Sequence, residues 1–269
     1  MNDMIKLENV SYNYTPEHNA ILDVSFSVNQ GEIFAIIGSN GCGKTTLLHL
    51  ITGLIFPDTG NIYFKNQALT EKAFKDASFN QFFRGSVGYV FQNPDSQLFC
   101  PTVFDELIFG PLQMGKDKQA AVERVEAIME MLNIGCLRDR PTYMLSGGEK
   151  KRVAIGSVLT MNPDVLVIDE PMGSLDPKTR SFLIELIIHL NEAGKTIIIA
   201  THHLELIDHL QPRVAVLSES HQIEKIGNTE EILTDTELLI RTNLISENWH
   251  RHGLQVHKHL PSGFLFHKH

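Results

Sequence analysis

One octet constrains this chain more than any other feature. Gly38-Ser39-Asn40-Gly41-Cys42-Gly43-Lys44-Thr45 has the spacing G-x-x-x-x-G-K-[ST], with an apolar run from Ile33 to Ile37 before it and a helical pattern from Lys44 to Leu54 after it. The physical content is direct. Glycines let backbone N–H groups approach an anion closely, the helix N-terminus beyond them adds positive potential, and the lysine supplies a positive charge. A strand, a tight turn and a helix in this order predict a phosphate-binding loop, with Lys44 reaching the β and γ phosphates of a nucleotide and Thr45 ligating Mg²⁺.

The rest of the chain is consistent with a sheet able to carry such a loop. Val87 to Phe91, Val165 to Ile168 and Thr196 to Ala200 are, like Ile33 to Ile37, nearly continuous apolar runs. That pattern belongs to strands covered on both faces of a parallel sheet. Ile5 to Val10 and Ile21 to Val28 alternate instead, as half-buried antiparallel strands do, with Thr15-Pro16 marking the turn between them. Lys44 to Leu54, Lys116 to Leu132, Glu149 to Met161 and Pro177 to Ala193 carry apolar residues at helical spacing, so strands and helices alternate. With 269 residues, 42% of them hydrophobic, the chain can bury a large core without staples. Its three cysteines, Cys42, Cys100 and Cys136, lie far apart and read as reduced thiols. No apolar run is long enough to span a bilayer, and the acidic N-terminal segment lacks the pattern of a secretory signal. A net charge of -9 with no long Lys/Arg stripe disfavours nucleic acid as a partner.

Two further segments carry chemistry. Val165-Leu166-Val167-Ile168-Asp169-Glu170 is a buried strand ending in two acids, which places both carboxylates at the carboxyl edge of the sheet, where ligands of open α/β folds bind. Asp169 is expected to hold Mg²⁺ through water, and Glu170 to polarise a water that attacks the γ-phosphate. Leu145-Ser146-Gly147-Gly148-Glu149 opens a helix. Ser146 and Glu149 have the S-x-x-E spacing of a capping box, and the same serine and glycines expose N–H groups to a second phosphate, one that a partner would present.

Taken together, these segments resemble the ATP-binding cassette (ABC) ATPases over roughly residues 4 to 225, with Glu149 standing where the family's LSGGQ signature has glutamine. The resemblance implies an α/β P-loop NTPase cassette with a mixed sheet, an antiparallel β lobe and a helical subdomain at about residues 93 to 163. It implies ATP and Mg²⁺ as ligand and cofactor, and two head-to-tail cassettes, identical or related, that sandwich the nucleotide. Gly38 to Thr45 and Thr46 would bind one ATP, while Ser146, Gly147, Gly148 and Glu149 would contact the γ-phosphate held by the opposite subunit's Lys44. Tyr14 matches the aromatic that stacks on adenine, with Tyr12 an alternative. Gln92 matches the glutamine that ligates Mg²⁺ and senses a membrane partner, Asp176 in Ser174-Leu175-Asp176 the residue that positions groups across the dimer, and His202 the switch histidine on the γ-phosphate. Glu170, His202, Lys44 and Gln92 are thus the implied catalytic set.

Gln92-Asn93-Pro94-Asp95-Ser96-Gln97-Leu98-Phe99, with Pro101-Thr102-Val103 and Phe109-Gly110-Pro111-Leu112, looks like the segment of energy-coupling factor (ECF) ATPases that follows this glutamine. Those ATPases serve importers of vitamins and of cobalt or nickel, at the cytoplasmic face of the membrane. Leu98, Phe99, Phe104 and Phe109 suit either a groove for a helix of the transmembrane subunit or packing within the helical subdomain. A soluble ABC protein acting as a regulatory clamp is the reading from another class. A boundary is expected near residue 225, followed by an acidic helix over Thr229 to Leu239 and a small extension to residue 269. Six of the thirteen histidines fall in the last twenty residues. A hairpin turning at Pro261-Ser262-Gly263 would set His257, His259, His267 and His269 on one face, where they would bind a divalent transition metal; a solvated terminus is the plainer alternative.

Overall fold

The computed structural model describes residues 3–173 and 175–246, together with the backbone of 249–252 and 255–258. In chain order the elements are β1 (Asp3–Thr15), β2 (His18–Asn29), β3 (Ile33–Ile37), α1 (Lys44–Ile51), β4 (Thr59–Phe64), β5 (Gln67–Ala68), α2 (Glu71–Phe74), α3 (Ala77–Ser86) and β6 (Val87–Val90). There follow α4 (Val103–Gln113), α5 (Lys118–Met131), α6 (Gly147–Leu159), β7 (Val165–Asp169), α7 (Pro177–Glu192), β8 (Thr196–Thr201), α8 (Leu204–Leu210) and β9 (Arg213–Leu217). The chain then runs through β10 (Ile223–Asn228), α9 (Thr229–Leu233), α10 (Thr236–Arg241), β11 (Trp249–His252) and β12 (Gln255–Lys258).

The four apolar runs are the consecutive strands β3, β8, β7 and β6 of a six-stranded sheet, ordered β10-β9-β3-β8-β7-β6. All of its pairings are parallel except that of β10 with β9, which makes the sheet mixed. Their residues alternate between two faces because successive side chains of a strand point to opposite sides. Val165, Val167, Ile198 and Ala200 face a core shared with the four-stranded antiparallel sheet β2-β1-β4-β5 and with α1 and α3. Leu166, Ile168, Ile197 and Ile199 face a second core built from α4, α5, α6 and α7. The first covering is the predicted antiparallel β lobe, and the second includes α7, which lies beyond the helical subdomain expected at about residues 93 to 163.

β3 alternates in the same way, but its second face meets a third core. Ala35 and Ile37 pack with Val214 and Val216 of β9, Ile207 of α8, Ile232 and Leu233 of α9, and Leu238 and Leu239 of α10. The change of sequence pattern near residue 225 therefore falls inside β10, and residues up to Ile245 cover the sheet rather than beginning an appendage. The acidic stretch forms two short helices instead of one, because Asp235 caps a new start by accepting a hydrogen bond from the Leu238 N–H. α4, which spans part of the segment that resembles ECF ATPases, starts the same way, with Thr102 accepting from the Asp105 N–H.

The histidine hairpin expected at Pro261-Ser262-Gly263 lies outside the described residues. Within them β11 and β12 pair antiparallel with each other, setting His250 opposite His257, so His257 has a strand partner other than the expected His267.

Leu238 is almost fully buried. Leu238→Ala is expected to lower the stability of the whole cassette by about 2–5 kcal/mol in one cooperative urea transition. A separate, lower transition with the main one unmoved would mean that residues 226–245 are an independent extension.

Candidate nucleotide site

The site is assembled at the carboxyl edge of β3, β7 and β8. The loop after β3 turns through Gly41 and Gly43, both at positive φ, and delivers Lys44 to the start of α1. Gly43 is required twice over: its φ is 110°, and a Cβ there would stand 2.3 Å from the Ala20 carbonyl oxygen. A Cβ on Gly38 would likewise stand 2.4 Å from the Leu217 carbonyl. The Lys44 ammonium, 6% exposed, donates to the carbonyls of Gly38 at 2.9 Å and Ser39 at 3.0 Å, and lies 3.5 Å from Glu170 Oε1.

Both acids of the sheet edge are buried. Asp169 Oδ2 accepts from the Thr45 hydroxyl at 2.7 Å and from the Tyr89 hydroxyl at 3.4 Å. Burial pushes the Asp169 carboxyl above the usual carboxylate range, against the pull of the Thr45 hydrogen bond. Its second oxygen, Oδ1, is buried with no hydrogen-bond partner among the described residues. A buried carboxylate oxygen without a donor is costly, and a hard divalent cation held on oxygen ligands would satisfy it. The residues thus fit Mg²⁺. Glu170 takes a left-handed backbone conformation with φ of 42°, which is costly for a side chain that is not glycine and aims it back at the P-loop. Its Oε2 accepts from the Thr201 hydroxyl at 3.1 Å, and its Oε1 pairs with His202 Nδ1 at 2.8 Å.

Tyr14, at the end of β1, is 59% exposed and its hydroxyl lies 3.2 Å from Thr46 Oγ1, so it stands beside the P-loop helix. Tyr12 instead packs partly buried against the first core and meets Tyr14 edge-on. Of the two aromatics, Tyr14 has the free face. Gly38 to Thr46, Asp169, Glu170, His202 and Tyr14 are therefore brought together. Gln92 is exposed, and its side chain makes no hydrogen bond among the described residues.

Ser146 to Glu149 are elsewhere, at the N-terminus of α6, and no hydrogen bond or ion pair among the described residues joins them to the P-loop. The capping box is present in full: Ser146 Oγ accepts from the Glu149 N–H, and Glu149 Oε2 accepts from the Ser146 N–H at 2.8 Å. That backbone hydrogen bond holds the Glu149 carboxyl below its usual range. Asp176 caps α7, accepting from the N–H and hydroxyl of Thr179.

Several neighbours of the site escaped the sequence reading. Lys151, 3% exposed in α6, donates to the carbonyls of Phe91 at 3.0 Å and Gln92 at 3.4 Å. Gln97 accepts from the Phe91 N–H at 3.1 Å and donates to Ala154 O and Ser157 Oγ of α6, while Lys150 pairs with Asp95. The Gln92 segment is thereby laced to the helix that carries Ser146. At the tip between β9 and β10, Glu219 accepts from the Ser39 hydroxyl at 3.2 Å and His221 Nδ1 meets the Cys42 carbonyl at 2.9 Å, propping the P-loop from behind. These contacts of α6 and of the P-loop carry no local sequence signal, since each joins residues far apart in the chain.

Known proteins carry the same architecture. The ABC transporter family matches residues 21–173. The chain belongs to the ABC transporter family. It is 47% identical to a Methanosarcina acetivorans protein described only provisionally as an ABC transporter ATP-binding protein, over 94% of this chain and 93% of that one. It is 41% identical to the nickel import ATP-binding protein NikO of Rhodobacter capsulatus, over 91% and 97%. Among solved structures it is similar to cbiO1 of Clostridium perfringens, part of the ABC transporter complex cbiONQ, at a TM-score of 0.77 and 35% identity over 91% and 96% of the two chains. This chain is accordingly an ATP-binding, ATP-hydrolysing ABC transporter subunit.

Burial pushes the Lys151 ammonium down to about 8, against the upward pull of Asp169 and Glu170. Between that value and the ordinary lysine range the unfolded chain binds the extra proton, so this residue's share of stability grows as pH rises through that window and is lost as pH falls through 8. Comparing wild type with Lys151→Met by urea unfolding across this range, the stability of wild type relative to the variant should rise with pH. A constant difference would mean that the ammonium is not desolvated.

Proposed function

We propose that this chain energises an ECF-type importer of nickel or cobalt ions, lying on the cytoplasmic face of the membrane against its transmembrane subunits. The observation that carries the reading is an apolar surface beside the Gln92 segment. Phe99 is 67% exposed and meets Phe109, itself exposed, edge-on at 5.0 Å, with Leu112, Tyr143 and Met144 also exposed. Rings this open are costly in water and suit the side of a partner's helix. Leu98 and Phe104, in contrast, pack against the helical core, so the groove reading falls to Phe99 and Phe109 and the packing reading to the other two. Similarity to a nickel import protein supports the choice of cargo. Among the described residues no helix is long and apolar enough to cross a membrane, so the passage for the ion belongs to other subunits.

Hydrolysis follows from the placement of the groups. ATP lies along the P-loop from Gly38 to Thr46, its adenine on Tyr14, with Lys44 turned from the Gly38 and Ser39 carbonyls to the phosphates. Thr45, Gln92 and, through water, Asp169 would hold Mg²⁺, which when bound would supply positive charge against the developing phosphate charge. Glu170 orients and polarises the attacking water, and His202 donates to the γ-phosphate. Ser146, Gly147, Gly148 and Glu149 close over that phosphate from a second cassette, the same chain or a relative, with Asp176 positioning groups across the interface. Closing and reopening act on the partner through the segment laced to α6.

Cells expressing this chain with its membrane partners are expected to accumulate radiolabelled nickel or cobalt, and to stop when Glu170→Gln replaces wild type. The same variant should persist as an ATP-bound dimer in size-exclusion chromatography. Accumulation of neither ion by an intact complex would turn the reading to a vitamin importer, and vigorous turnover by Glu170→Gln would remove that residue from its role.

A further inference from the structure

The sheet edge holds a cluster that hydrolysis does not fully use. His202 and His203 are adjacent in sequence, and side chains of adjacent residues in a strand would point apart. Here β8 has ended, and the two rings lie together with centroids 4.1 Å apart and planes tilted by 35°. The Thr201 hydroxyl makes this turn: it donates to Glu170 Oε2 at 3.1 Å and accepts from the His203 N–H at 3.1 Å, folding both histidines toward Glu170. One ligand atom each from Glu170, His202 and His203 lie within 4.8 Å of one another, and the Glu170–His202 pair is already at 2.8 Å.

We infer that Glu170, His202 and His203 form a site for a divalent transition-metal ion, and that its occupation arrests ATP hydrolysis. Two imidazoles and a carboxylate suit nickel, cobalt or zinc, whereas Mg²⁺ prefers the oxygen ligands of Thr45 and Asp169. Ligand atoms about 2.1 Å from one ion stand roughly 3 Å apart, so small ring rotations bring these three into register. The Lys44 ammonium at 3.5 Å opposes a cation here, but it keeps the Gly38 and Ser39 carbonyls as acceptors when Glu170 is withdrawn. The His202 ring is 41% exposed, which leaves the ion a way in. Arrest follows because the ion takes the carboxylate needed to polarise water and the imidazole needed by the γ-phosphate. The ion and productively bound ATP therefore exclude each other. Where the cargo is nickel or cobalt, a point that rests on the function proposed above, the site is a brake applied by the imported ion itself.

His203 has no part in the hydrolytic machinery, so it separates the two activities. ATP hydrolysis by the full-length chain with Mg²⁺ in large excess is titrated with nickel chloride, for wild type and His203→Gln. The expected result is equal activity without nickel and a half-inhibiting concentration at least about tenfold higher in the variant. Equal inhibition of both proteins, which would follow if nickel acted only by replacing Mg²⁺ on the nucleotide or by binding the C-terminal histidines, overturns the inference. A second readout needs no activity. The visible absorption of cobalt added to nucleotide-free protein should weaken in both His203→Gln and Glu170→Gln relative to wild type, and identical spectra contradict the site. Neither measurement involves a membrane partner, so failure here leaves the importer reading standing, and absence of transport leaves the metal site standing.

Discussion

Three charged groups withdrawn from water at one sheet edge set the terms for the rest of this structure. Lys44, Asp169 and Glu170 are 6%, 1% and 6% exposed. Burying them is costly unless each finds partners, and the chain supplies those from distant segments: carbonyls of the P-loop, the Thr45 hydroxyl from α1, Tyr89 from β6, and Thr201 and His202 from the end of β8. The parallel order of β3, β8, β7 and β6 is what brings these ends to one edge. Among the described residues satisfaction remains incomplete at Asp169 Oδ1, and a cation held on that oxygen would complete it.

How much of this was legible in the sequence depended on the range of the interaction. The P-loop and the acids ending β7 were readable because their constraints are local: glycine backbone freedom, a helix start, an apolar run followed by carboxylates. The pairing of Ser146 with Glu149 was readable for the same reason. Lys151 was not, because a lysine in an amphipathic helix gives no sign that its ammonium will end against the Phe91 carbonyl, 60 residues away in the chain. Glu219 and His221 reach the P-loop across about 180 residues through a hairpin tip whose composition looks like any turn. The boundary near residue 225 was misplaced by the same blindness, since α9 and α10 look short and acidic until Ala35 and Ile37 are seen to need a cover.

The lacing of the Gln92 segment to α6 links two functions within one body. Lys150, Lys151 and Gln97 hold the turn that follows β6 against the helix whose N-terminus carries Ser146 to Glu149. On the proposed function, a partner pressing on Phe99 and Phe109 would move the start of α6 with it, without needing a path through the sheet. In turn, drawing those residues onto a nucleotide would shift the apolar surface.

The proposed mechanism needs a site that a single cassette would leave unfinished, because among the described residues no hydrogen bond or ion pair joins the start of α6, or Asp176 at the start of α7, to the P-loop. The order of ATP hydrolysis in protein concentration tests this most directly. With saturating ATP and Mg²⁺, the rate per molecule of purified chain should rise with its concentration until the dimer saturates. A rate per molecule that stays constant down to concentrations where the protein sediments as a monomer would contradict it, since one chain would then complete the site alone.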